Sequence, residues 1–425
     1  MQEEGIMRVG YSVVDITPDL GIELSGYGWY LGRKAEGIID RLYARGVAFE
    51  DNTFKMLIIN CDLIAIDEKI SDYVREQLSK LFKINKANIM IVCTHTHTGP
   101  ATGKLIGCGE RDEKYLSLLA DLLVEVGVSA LNNFKDVAYA KSFEKEIDPI
   151  SFNRVRKDGP LDKYVRGLVF NFKEEEDRPL VILSYGCHPV SRGRLKEISA
   201  DYPGAVIKAL YAAGYDGVFM TGLCGDINPT THKGMSGEGT PEVISEYGTR
   251  IVKAMINTID NIEPMRNVKL DAFEFDVDLY MQNYDEKEID ELVNIYEADK
   301  ERNPGIFEAV KIWAEVMKDR LQNEENPYVE TAKIQVFRIG DALIIGFPGE
   351  VFTLIGTIIR NEIPHMNILA VGNANSTMRY VPTRDDIENK GYAALTSCFL
   401  YQRLPLMPGE GERMAEVVAE EIKQR

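Results

Sequence analysis

Apolar and polar positions along this chain fall into blocks that switch between two periods. The run from Ala44 to Phe49 and the run from Phe54 to Asn60 flank Glu50-Asp51-Asn52 and predict a hairpin, whose second strand is apolar enough to lie inside a sheet. From Glu68 to Phe82 the spacing changes, and Ile70, Tyr73, Val74, Leu78 and Leu81 predict an amphipathic helix. Ile89 to Cys93 reads as a buried strand and Glu113 to Ala130 as a second amphipathic helix. Further on, strands are expected at 168–171, 180–185 and 217–223, and helices at 205–213 and 242–258. The residues from Val268 to Leu279 alternate, as in a half-exposed antiparallel strand. Ile334 to Ile339, Gly340-Asp341 and Ala342 to Phe347 predict a hairpin. A strand at 368–371, a polar loop through Asn389 and a helix from about Gly411 complete the pattern. Together these predict an α/β fold with mixed central sheets and flanking helices.

No Ser/Gly/Pro linker divides the chain, so one large domain, 1–425, is expected. The stretch 284–330, rich in Glu, Lys, Leu and Ile and interrupted by Asn303-Pro304-Gly305, reads as a helical hairpin inserted in it. Composition sharpens this in three ways. The balance of 49 Lys plus Arg against 67 Asp plus Glu gives a net charge of −18, which disfavours nucleic acid and anionic membranes as partners. No window approaches the roughly 18 apolar residues of a membrane span, and the start lacks a basic stretch leading into an apolar run. A cytoplasmic protein without membrane insertion, acting on a small molecule, is therefore expected. Six cysteines without a CxxC pair, several within apolar strands, read as reduced core thiols.

The chemistry concentrates in a rare residue. The whole chain has 5 histidines. Thr94-His95-Thr96-His97-Thr98-Gly99-Pro100 follows a buried strand, and an extended backbone there would put both imidazoles on one face. Either both bind a metal, or one binds while the other moves protons. Cys187-His188-Pro189-Val190-Ser191 repeats the strand-end arrangement and offers a third imidazole. Asp201, in Ser199 to Gly204, is either a helix N-cap or a carboxylate that orients a ligand or activates water. Asp226, in Gly222 to Pro229, sits in a turn at the end of another buried strand. Glu350, in Pro348-Gly349-Glu350, supplies a carboxylate after an apolar strand, and two imidazoles with one carboxylate form a common catalytic zinc set. Arg154 is either an exposed cation or a holder of a carboxylate or oxyanion. Tyr380 carries no signal beyond packing, and Gly26 to Tyr30 is an aromatic loop folded on the core or lining a pocket. His232 and His365 read as loop residues.

The order of these motifs resembles the neutral (alkaline, non-lysosomal) ceramidase family. The matching pieces are Val9-Gly10 through Asp15-Ile16-Thr17 with Gly26-Tyr27, Thr94 to Pro100, Asn153-Arg154, His188 to Ser191, Ser199 to Gly204, Gly225-Asp226, Pro348-Gly349-Glu350 and Tyr380 to Thr383. The resemblance implies a zinc amidohydrolase in which His95, His188, Glu350 and Tyr380 bind Zn²⁺, His97 is the acid/base group and Arg154 lies near the scissile carbonyl. Asp201 and Asp226 are then supporting carboxylates. Two departures stand out: Asn228 replaces a serine of the family's Gly-Asp-x-Ser-Pro, and Thr377 stands where a second tyrosine is frequent. The expectation is a catalytic domain without the family's C-terminal immunoglobulin-like domain, hydrolysing the amide of an N-acyl substrate that is ceramide-like or, better suited to the charge, smaller and soluble. The alternatives are a metal-dependent esterase or phosphoesterase, and a metal-binding sensor without catalysis.

Overall fold

Two sheets face each other across an apolar interior. The structure, a computed structural model, describes residues 7–425 except 53, 234, 235, 238, 267 and 325. The larger sheet has eight strands in the order Asp216–Thr221, Leu180–Tyr185, Tyr164–Phe172, Phe134–Glu146, Arg8–Asp15, Tyr43–Glu50, Lys55–Cys61 and Ile89–Cys93. The smaller has four: Leu270–Tyr280, Val329–Ile339, Ala342–Gly346 and Asn367–Val371. Within these two sheets pairing is antiparallel except at three places: 55–61 with 89–93, 180–185 with 216–221, and 342–346 with 367–371. The mixed α/β architecture is the expected one.

Side-chain alternation explains the layers. Met56, Ile58, Met90 and Val92 point inward and meet Phe337, Ile344 and Leu369 of the smaller sheet. Their neighbours Leu57, Ile59, Ile89 and Ile91 point outward, under Val74, Leu78, Leu119 and Leu123 of helices Glu68–Phe82 and Glu113–Asn132. A strand covered on both faces must be apolar at every position, which is why these runs do not alternate in sequence. Helices Asp201–Ala212 and Pro241–Ile259 cover the other end of the large sheet. Outside the small sheet lie Glu286–Glu297, Pro304–Asn323, Thr353–Glu362 and Glu410–Lys423.

Several expectations need correction. Tyr73 and Leu81, counted in the apolar stripe of helix Glu68–Phe82, are 46% and 62% exposed, so the stripe that docks is narrower. The strand Phe134–Glu146 was not anticipated, because it carries three lysines, an aspartate and two glutamates and buries only Val137, Ala140 and Phe143. The polar stretch before Asn389 contains the short helix Arg384–Glu388, and Ser397–Tyr401 is helical as well. Helix Glu113–Asn132 is, against expectation, long and apolar enough to cross a membrane, yet Leu116, Leu119, Leu123 and Val126 are buried against the sheet. All six cysteines are buried and free.

The large sheet curls until its two edge strands meet. Asn60 Nδ2 donates to Phe219 O at 3.0 Å and Thr221 Oγ1 to Thr94 O at 2.6 Å, bridging 55–61 and 89–93 to 216–221. This brings the loops beyond Cys93, Tyr185 and Thr221 together, and the small sheet adds the loop beyond Gly346. These are carboxyl ends of the parallel-paired strands, where α/β sheets place their ligands.

Candidate metal centre

His95 comes from the first of these loops. Its φ is +69°, so the backbone turns left-handed instead of staying extended, and the shared-face argument for residues 95 and 97 does not apply. The imidazoles still meet, with centroids 4.8 Å apart, because the chain folds back at this residue. A left-handed non-glycine residue costs on the order of 1–3 kcal/mol and persists only where the surroundings enforce it. Here Leu63 O accepts from His95 N–H at 2.8 Å, and Ile64 O lies 2.7 Å from Nδ1.

His188 is held in the same manner. Its N–H donates to Ile227 O at 3.1 Å, and Nδ1 lies 2.6 Å from Cys224 O. A carbonyl oxygen only accepts, so in both rings Nδ1 carries the proton and Nε2 is left as a bare lone pair. Both lone pairs converge on one carboxylate oxygen: Glu350 Oε2 is 2.9 Å from His188 Nε2 and 3.2 Å from His95 Nε2. Burial, followed by the charge of Arg154, lowers His188 to about 4, so that the ring is neutral near pH 7. Three buried acceptors facing one another without a donor repel; a cation between them reverses the sign. The donor set therefore fits a metal ion, and His97 closes the group, its ligand atom and those of His95 and His188 all lying within 4.8 Å of one another.

His97 differs from its two neighbours. Both of its ring nitrogens are buried without a hydrogen-bond partner. Burial, then the rings of His95 and His188, push it well below the ordinary imidazole value. Arg33 Nη2 donates to its carbonyl oxygen at 2.6 Å, and the Tyr27 ring meets it edge-on at 5.3 Å. Gly26, at φ +110°, passes so close that a Cβ there would sit 2.5 Å from His97 Cγ.

Glu350 and Tyr380 are register partners in a short parallel pair. Tyr401 donates a hydrogen bond from its hydroxyl to Glu350 Oε1. Arg154 Nη2 donates to Tyr380 Oη at 3.0 Å and to Gly225 O at 2.7 Å. Burial raises the Tyr380 phenol well above its usual value. Asp226 lies behind this layer: its Oδ1 accepts from Thr353 N at 2.8 Å, its Oδ2 from Asn153 Nδ2 at 2.7 Å, and its carbonyl from Arg154 N at 2.8 Å. It thereby ties three loops together. Asp201 is no N-cap, since Ala200 holds that place. Its Oδ2 accepts from Arg192 N at 3.0 Å and steadies the loop that carries His188.

The structure thus gathers His95, His97, His188, Glu350, Tyr380 and Arg154 around one point and sets Asp201 and Asp226 behind them. A cavity of about 510 Å³ opens beside His97 and Arg154, lined also by Tyr27, Asn228, Asp386 and Tyr392. His232 lines it too, although its sequence context marks only a loop. His365 lies in a separate surface groove. Tyr401, Tyr392 and Arg33 were not foreseen; Tyr401 ends the apolar run Ser397–Tyr401 and reads there as core. Thr377 donates to Asn373 Oδ1 at 2.8 Å.

Comparison with known proteins agrees with the resemblance read from the motifs. Residues 7–105 match the model of the N-terminal region of neutral/alkaline non-lysosomal ceramidases. The chain is 24% identical over 478 aligned positions to a protein described as neutral ceramidase from Mycobacterium tuberculosis (strain ATCC 25618 / H37Rv), covering 93% of this chain and 74% of that protein. The crystal structure of neutral ceramidase from Pseudomonas aeruginosa superposes with a TM-score of 0.74 at 19% identity, covering 99% of this chain and 75% of that one. A ceramidase complexed with C2 gives a TM-score of 0.74 at 18% identity, covering 98% and 74%. At such identities the solved structures speak for the fold alone.

Proposed function

Taking as premise that this chain is a relative of the neutral ceramidases, we propose that it is a metal-dependent amidohydrolase acting on an N-acyl substrate. The observation that carries this reading is the convergence of His95 Nε2, His188 Nε2 and Glu350 Oε2, buried and without a donor among them. His95, His188 and Glu350 would hold the ion, with Tyr380 as the fourth ligand, and Zn²⁺ suits a set of two imidazoles and a carboxylate. Once bound, the ion supplies a Lewis acid that polarises the amide carbonyl and brings the pKa of water toward about 7.

The remaining work falls to side chains. His97, with both ring nitrogens unpartnered, accepts the proton of the attacking water and returns it to the leaving nitrogen. Arg154 keeps its charge at every working pH and stands beside Tyr380, where it steadies the negative charge that develops on the carbonyl oxygen. Asp226 holds the Arg154 backbone and the chain after Glu350 in register, and Asp201 does the same for the His188 loop.

A cavity of about 510 Å³ with polar groups on its walls favours a small soluble amide over one with two long chains. The larger cleft nearby, about 790 Å³, mixes the charges of Asp67, Glu68, Glu110 and Arg111 with the apolar walls of Trp29, Leu31, Leu105, Ile106 and Met378. The test is hydrolysis of matched amides, esters and phosphoesters by the protein as purified, after chelation and after zinc is restored. The expected result is amide cleavage that chelation removes and zinc returns. Preference for esters or phosphoesters, or turnover indifferent to chelation, would overturn the reading.

A further inference from the structure

One wall of the cavity beside His97 carries polar atoms for which the reaction described above has no use. Asp386 is 3% exposed, and its Oδ2 is buried with no hydrogen-bond partner. Its carboxylate is fixed from two sides: the backbone N–H of Ala394 donates to it, and Gly391 fits so tightly that a Cβ there would lie 1.9 Å from Asp386 Oδ1. Asn228 lines the same cavity, and its Oδ1 is likewise buried and unpartnered. Both atoms only accept hydrogen bonds, and a buried acceptor without a donor is costly in the folded chain. Arg154 and Tyr392 line the same cavity, the Arg154 guanidinium carbon lying 5.6 Å from the Tyr380 ring centroid and 6.0 Å from that of Tyr392.

We propose that Asp386, assisted by Asn228, is a specificity-determining residue that takes a hydrogen-bond donor, a hydroxyl or a protonated amine, on the part of the substrate lying beyond the scissile amide. The inference deepens the amidohydrolase reading and rests on it for the word substrate, but its binding claim stands without turnover. A carboxylate aimed at a cavity selects strongly, because a ligand lacking the donor leaves that oxygen buried and unpaired. The chain's net charge of −18 also favours the approach of a cationic ligand over an anionic one.

The experiment uses three amides with a common acyl group, made from ethanolamine, ethylenediamine and propylamine, which differ only in a terminal hydroxyl, ammonium or methyl. Binding to the metal-free protein is measured by calorimetry, and kcat and KM are measured with zinc present, for the wild type, Asp386→Asn and Asp386→Ala. The wild type is expected to bind one of the donor-bearing amides roughly 10- to 100-fold more tightly than the propyl amide. Asp386→Ala is expected to erase that preference while still binding the propyl amide, which shows that the variant is folded. Asp386→Asn separates the two donors: it keeps a preference for hydroxyl and loses one for ammonium. Equal binding of all three amides by the wild type, or a preference that survives Asp386→Ala, overturns the inference. If binding behaves as expected and no amide is cleaved, the amidohydrolase reading fails and the Asp386 assignment remains.

Discussion

In the helical hairpin formed by Glu286–Glu297 and Pro304–Asn323, burial and hydrogen bonding close on each other. Trp313 is fully buried, packs edge-on against Phe399 at 5.1 Å and donates its indole N–H to Arg403 O at 2.8 Å. Around it lie Ile289, Ala309, Val310 and Met317, which have no polar atom to satisfy. At the histidine centre burial is as deep, yet His95 Nε2 and both nitrogens of His97 have no hydrogen-bond partner. Native interiors rarely leave such atoms bare. The hairpin is therefore a place where the sequence is arranged for stability alone, and the centre is one where stability is given up to keep lone pairs available.

That contrast can be broken in three ways. If His97 is the proton carrier of the proposed mechanism, His97→Ala lowers kcat by about 100- to 10,000-fold while the purified protein keeps its metal, as checked by elemental analysis beside kinetics. Loss of metal in this variant would instead make His97 a third imidazole ligand. Trp313→Ala should destabilise the fold by about 3–5 kcal/mol in chemical denaturation, with metal content per folded molecule unchanged. A change in metal affinity there would mean that hairpin and centre are coupled.

The third concerns acid. His188 titrates near 4 in the folded protein because burial, then Arg154, disfavours its charged form, whereas an unfolded histidine titrates near about 6.5. Below that value the unfolded chain binds the extra proton, so the stability of the metal-free protein is whole above about pH 6.5 and falls as pH drops through 4. The loss from this residue is about 3 kcal/mol at most. Denaturation of the metal-free protein at successive pH values reads this directly, and a flat profile between pH 7 and 4 would show the rings already partnered.

Much of this was legible in the sequence, and the exceptions have physical causes. Strands such as Lys55–Cys61 and Ile89–Cys93 announce themselves because both of their faces are covered. Phe134–Glu146 does not, since a strand with a solvated face needs few apolar residues. His95, His97, His188 and Glu350 could be singled out because each follows an apolar run and three are histidines in a chain with few. His95 and His97 meet through a left-handed turn at residue 95 and not along an extended strand, and such a turn cannot be read from a residue's type. Tyr401 and Asp386 were invisible: one lies within an apolar helix, the other within a charged stretch, and only the folded chain brings them to the cavity. Asp201 and Asp226 were noticed as carboxylates, but which loops they tie together is a property of the tertiary structure.

The central claim is that the bare imidazole and carboxylate atoms exist to hold an ion. Diffraction from crystals of the protein as purified, recorded on both sides of the zinc absorption edge, tests it most directly. The account predicts one anomalous peak at about 2.0–2.2 Å from His95 Nε2, His188 Nε2 and a Glu350 carboxylate oxygen. An empty centre after growth with zinc, with His188 and Glu350 sharing a proton in its place, would contradict it.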